Sequence, residues 1–185
     1  GTLATSTSFP IAGNRGIALG ASGGTLDVAN GTTLTYGGIA AGAGALTKTS
    51  AGTLILAGTN SYTGATTVTG GTLVIDGNIS SSSLTSLSAV AVLGGSGTLG
   101  ATTIAGTHSP GNSPGLQTFA GDLTYQDGST LVWELIADTI AGRGSNFDAI
   151  NLTGSANLAF TGTTTVNLAF ASAGSTVDWS DTLWD

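Results

Sequence analysis

The sequence has no cysteine and no methionine. Without thiols there is no disulfide, no zinc-thiolate site and no thiol nucleophile. Charge is scarce as well: Asp, Glu, Lys and Arg make up 7% of the 185 residues, and three bases face ten acids. A chain this poor in Lys and Arg, with a formal net charge of -7, lacks the electrostatic footprint that nucleic acid or anionic lipid requires. No run of about 20 apolar residues is present to insert as a transmembrane helix, and no stretch holds a sustained 3.6-residue period. The chain opens on "GTLATSTSF" without a secretory leader, which predicts a mature product or an excerpt of something longer.

What is present is small and apolar. There are 31 glycines, 40% hydrophobic residues and a mean hydropathy of +0.33, which is too apolar and too weakly charged for a disordered chain. Gly-Thr-Leu recurs at Gly1, Gly24, Gly52, Gly71 and Gly97. Aligning three of these phrases puts Leu26, Leu54 and Leu73 in the third position and Val28, Leu56 and Ile75 in the fifth, with Asp27, Ile55 and Val74 between them. Apolar residues at alternate positions read as a half-buried strand. Glycine-rich turns such as "ANG", "AGTN" and "DGN" bound each phrase. A fixed phrase recurring every few tens of residues favours a parallel β-solenoid over a sandwich or barrel, with one phrase per rung and about eight rungs in all. The stretch "SSSSLTSLSAVAVLGG" is expected to be a short helical turn through Leu84, Leu87 and Ala91, or an irregular loop.

"LTKTSAGTLILAGTNSYTGATTVTGGTL", Leu46 to Leu73, resembles the passenger-associated repeat of bacterial autotransporters, also found in large autotransporter-associated β-strand repeat proteins. "LTKT", "AGTL", "GTNSYTG", "TTV" and "GTL" follow in the family's order. "VLGGSGTLG", "HSPGNSPGLQ" and "GSNFDAINLTGSANL" resemble segments that usually follow it, so the likeness covers about two thirds of the chain. The resemblance implies a right-handed parallel β-helix, secretion and exposure on a bacterial surface; it implies no activity.

Several motifs invite a chemical reading and are set against a plainer one. "GASGG" fits the nucleophile elbow through Ser22, yet a strand pattern follows where the elbow needs a helix. "GSGTLG" likewise lacks the helix that a dinucleotide fingerprint requires, and in "GAGALTKT" Thr47 replaces the glycine before the P-loop lysine, Lys48. Asp122 and Asp127 flank a turn, with Asp138 and Asp148 beyond. Calcium wants six to eight oxygens, so turn caps are the favoured reading. Glu134 and Asp138 would make a hydrolytic pair only across a cleft, and the region around Trp133 reads better as wall residues. His108, in "GTHSPG", is taken as a turn residue. Trp133, Trp179 and Trp184 are the candidate contacts for assembly or for stacking on a glycan.

The expectation is an all-β protein: a right-handed β-solenoid over 1-106, a Pro/Gly turn over 107-115, and an atypical β layer, continued solenoid or cap over 116-185. No enzymatic activity, cofactor or metal is expected. The expected role is a secreted structural stalk or self-assembling filament subunit, with a surface- or glycan-binding adhesin module as the competing reading. Solenoid columns have open ends whose unpaired backbone groups invite other copies of the chain.

Overall fold

A computed structural model describes residues 1-136 and 141-170. Every ladder pairing within it is parallel, and no helix occurs among the described residues. The chain winds in rungs. Rung one holds β1 (Thr2–Thr5), β2 (Phe9–Ile11) and β3 (Ile17–Ala18), and rung two holds β4 (Gly24–Val28), β5 (Thr33–Tyr36) and β6 (Ala40–Ala41). Rung three has β7 (Leu46–Thr49) and β8 (Thr53–Leu56); rung four has β9 (Thr66–Val68), β10 (Gly71–Ile75) and β11 (Asn78–Ile79). Rung five comprises β12 (Thr85–Leu87), β13 (Ala91–Gly94) and β14 (Thr98–Leu99), and rung six β15 (Thr102–Ile104), β16 (Thr107–His108) and β17 (Leu116–Phe119). Rung seven is built from β18 (Leu123–Tyr125), β19 (Thr130–Leu135) and β20 (Ala149–Leu152), and rung eight from β21 (Leu158–Phe160) and β22 (Thr165–Phe170).

Two faces are eight-stranded sheets: face I, from β1 to β21, and face II, from β2 to β22. Face III is split into a pair, β3 and β6, and a four-stranded sheet from β11 to β20. At the usual interstrand spacing, eight strands make a column about 34 Å long. Residues 116-170 extend the same sheets as the N-terminal part.

Stacking explains the composition. On face II, Leu34, Leu54, Leu73 and Leu93 lie directly over one another, all 0% exposed. Burying each such side chain contributes roughly 1.5–3 kcal/mol. Outside, Thr2, Thr25, Thr47, Thr67, Ser86, Thr103, Thr124 and Ala159 form one register-matched ladder on face I. Thr33, Thr53, Thr72, Val92, Thr107, Thr130 and Thr165 form another on face II. β-Branched side chains suit such pleated walls, and an uncharged ladder avoids like-charge repulsion between rungs.

The recurrent phrase proves to be a corner-and-strand module used on every face. Gly1 and Gly24 open strands of face I, Gly52 and Gly71 strands of face II, and Gly97 a strand of face III. Equating one phrase with one rung was therefore too simple: rungs take from 17 residues (Ser86 to Thr103) to 35 (Thr124 to Ala159). The glycine is needed because the previous rung passes close at the corner. A Cβ on Gly52 would fall 2.2 Å from the Ala29 carbonyl oxygen, and Gly71 has φ +66. The serine-rich stretch is also corrected, since Thr85–Leu87 and Ala91–Gly94 are strands with Leu87 and Ala91 inside. Their short alternating runs suit half-buried strands, and stacking on the rungs either side decides the matter.

Rung three lacks a third strand, and "GTNSYTG" takes its place. Thr59 bridges to Asn78 of β11, while the N–H groups of Ser61 and Tyr62 turn back to the Ala40 carbonyl of β6 (2.9 and 3.2 Å). Asn60, 2% exposed, acts as a piece of strand backbone: Oδ1 accepts the Ala40 N–H at 2.9 Å and Nδ2 donates to the Gly58 carbonyl at 2.9 Å. Tyr62 fills the core below, its hydroxyl 2.7 Å from Thr66 Oγ1. Asn60→Ala orphans a buried N–H and a carbonyl, so it should cost about 2–3 kcal/mol, whereas Asn78→Ala, half-exposed, should cost under about 1 kcal/mol. Urea melts of the two variants check this; equal losses would contradict the role given to Asn60.

Candidate functional site

His108 is not a turn residue. It lies on β16, 0% exposed, in the face II column between Leu93 and Leu131. The strand ends there, and the turn begins at Ser109. Nε2 is 2.7 Å from Gln117 Oε1, and Gln117 Nε2 donates to the Gly94 carbonyl at 2.9 Å. Since Gln117 presents its oxygen, the ring must donate from Nε2, and Nδ1 accepts from the Tyr125 hydroxyl. Phe119 packs edge-on at 5.7 Å, and Phe160 stacks on Tyr125 at 5.2 Å. Both ring nitrogens are engaged inside the column, which leaves neither free for a metal or a substrate.

The carboxylates are backbone clamps. Asp148, 0% exposed, accepts the N–H of Gly115 on Oδ1 and of Glu134 on Oδ2, each at 2.8 Å. Burial pushes its pKa up, against those two hydrogen bonds, and the nearby Glu134 charge adds to the rise. Glu134 accepts Ser113 Oγ at 3.0 Å. Asp122 holds the Asn157 N–H and Asp127 the Thr163 N–H, both at 2.8 Å, so these acids tie rung seven to the loops flanking β21. Asp138, the expected partner of Glu134, lies outside the described residues. Among the described residues no three acids or histidines gather as a metal set.

Lys48 points inward on β7, stacked between Leu26 and Val68. Its Nζ donates to the carbonyls of Thr49, Ser50 and Gly70 at 3.0, 2.7 and 3.0 Å, so all three ammonium protons are used. Burial lowers its pKa, and Asp27 opposes the fall. Asp27, exposed, is held below the usual carboxylate range by hydrogen bonds from Ser50 and Thr49. The lysine is thus a cap for a corner, not a phosphate ligand. Ser22 is equally plain: it sits in a turn closed by the Gly23 N–H to the Gly20 carbonyl (2.7 Å), and a strand follows. Neither Lys48 nor Asn60 stood out in the sequence, because a polar residue at an inward register position is visible only once rungs are aligned.

The exposed chemistry is concentrated at the last rung. Leu158, Phe160, Val166, Leu168 and Phe170 are 45–53% exposed, although Phe160, Val166 and Leu168 occupy register positions that are inward one rung earlier. Trp133, a candidate contact, is half-buried on β19, packed against the core and paired with Leu168. Trp179 and Trp184 lie outside the described residues. At the other end Leu3 and Phe9 are 41% and 37% exposed, beside an open cavity of about 300 Å³ lined by Leu3, Ile17, Leu19, Leu26 and Leu46.

The polar core carries a pH signature. Burial brings His108 from 6.5 down to about 4, so the unfolded chain binds a proton that the folded one refuses. The contribution is full above pH 6.5 and drains away as pH falls toward 4, by up to about 3 kcal/mol. Tyr125, the other titratable side chain in contact with the ring, stays neutral throughout this range because burial raises its pKa. His108→Leu should be less stable at pH 7, with two buried partners left unpaired, but should show a flatter decline between pH 6.5 and 4 than the parent. An unchanged slope in urea melts would contradict the burial of a neutral ring.

No curated protein matches the chain. Residues 46–75, which span buried Lys48, the "GTNSYTG" crossing and the stacked strands β8 and β10, match the family model described as Passenger-associated-transport-repeat, and the chain is a β-solenoid carrying that repeat of autotransporter passengers.

Proposed function

We propose that this protein is a non-catalytic structural column on the bacterial surface, and that copies of it associate through the open ends of the column. The repeat and the solenoid fit a passenger-type extracellular protein of bacteria. The observation that carries the rest is the apolar last rung. Every interior turn covers the side chains of the one before it, whereas five large apolar side chains of rung eight stand about half exposed. Contiguous exposed apolar surface on a sheet edge favours association with another chain.

The size of the effect bears on the kind of assembly. Burying the remaining half of five such side chains contributes about 5 kcal/mol. That is near the lower bound of the several kcal/mol lost in freezing two bodies together, so interstrand hydrogen bonds must supply the surplus. Association is therefore expected to be reversible and concentration-dependent.

Sedimentation velocity should show species lengthening as the concentration rises from micromolar to hundreds of micromolar. Val166→Asp, at a half-exposed site, should keep the melting temperature of the dilute protein and abolish the longer species. A parent that stays monomeric throughout would refute the reading, and glycan binding by such a monomer would favour the adhesin alternative.

A further inference from the structure

Resting on that end-to-end reading, we infer that copies join head to tail in one register: β1 and β2 of one copy add onto β21 and β22 of another, and both outer ladders continue across the joint. The occupant must be a full rung, and the 15 residues after Phe170 are fewer than the shortest rung, Ser86 to Thr103, takes. They cannot cover both β21 and β22.

Rung one fits in length. On rung eight, six residues separate the ladder positions Ala159 and Thr165. On rung one, Thr2 begins the face I ladder, and Ser8, whose Oγ accepts the Thr33 N–H at 2.8 Å, stands at the head of the face II ladder, again six residues on. With Ala159 under Thr2 and Thr165 under Ser8, the inward columns continue as well: Phe160 meets Leu3, Val166 meets Phe9 and Leu168 meets Ile11. Phe160 then lies against the open cavity that Leu3 lines. Charge favours the same polarity. The charged residues before Gly121 are Arg15, Asp27, Lys48 and Asp76, which cancel, while those from Asp122 onward are eight acids and Arg143. Tail against tail would set two acidic ends together; head against tail does not.

Pro10 sets the strength of this joint. Outward positions on face II send their N–H to the preceding rung, as Thr53 does to the Thr32 carbonyl and Ala57 to that of Tyr36, both at 2.9 Å. Pro10 pairs with Thr35 and shares that orientation, so its missing N–H faces off the end of the column. In the joint it stands over Asn167 and leaves the Val166 carbonyl without a donor. A proline there blunts the edge, as edge strands commonly require, and keeps the junction reversible.

The chain has no cysteine, so single cysteines report the joint cleanly. In-register neighbours lie about 4.8 Å apart, within the Cα range of a disulfide. Ala159→Cys and Thr2→Cys, mixed at a concentration where the parent associates and then oxidised, should give a mixed cross-linked dimer, with little homodimer from either alone. Pro10→Thr, which restores one backbone hydrogen bond, should tighten self-association about fivefold. Homodimers of Ala159→Cys, or association unmoved by Pro10→Thr, would overturn the head-to-tail joint while leaving end-to-end association standing. Absence of any association in the parent would remove both.

Discussion

The constraint on which the molecule depends is register. Each rung must place an inward residue over an inward residue and a backbone donor under a backbone acceptor, because parallel strands share every ladder bond with the rung above or below. Once Leu54 lies over Leu34 and under Leu73, the outward Thr53 has no choice but to lie between Thr33 and Thr72. The interior column and the exterior ladder are one geometric fact seen from two sides. Small residues and low charge follow from it, since a rung with a bulky corner or a charged wall repels its neighbour.

Polar groups enter the column only where backbone atoms at a corner need partners. Lys48 replaces a leucine-like residue where three carbonyls converge, and Asp148 stands where two N–H groups would otherwise be buried unpaired. Asn60 substitutes for a strand where face III changes sheets. His108, Gln117 and Tyr125 satisfy one another and the Gly94 carbonyl. A buried polar group is costly unless every partner is in place, so these sites pin the register as firmly as the leucines do.

Much of this was legible in the sequence, in a specific way. Leu54 with Leu73 and Leu56 with Ile75 were readable as stacked pairs because adjacent rungs in that stretch are 19 residues apart and the period-two pattern is clean. The face to which each Gly-Thr-Leu phrase belongs was not, because the corners between faces vary in length and the sequence does not mark them. His108 was misread for a related reason: a histidine followed by Ser-Pro looks like a turn, and only alignment with Leu93 and Leu131 shows it inside. The open end was least legible of all. Val166 and Leu168 have the pattern of core residues, and their exposure arises because among the described residues no rung lies beyond them. Pattern tells which way a side chain faces; the neighbouring rung tells whether anything covers it.

The most direct measurement is residue-resolved amide hydrogen exchange of the intact chain at low and at high protein concentration. Amides of β8, β10 and β13 should be equally well protected at both. Those of β21 and β22 should exchange quickly when dilute and slow markedly on concentration, as a new rung pairs with them. Strong protection of β21 and β22 in the dilute protein, or no change with concentration, would contradict the view that the column ends in an open rung that takes another copy.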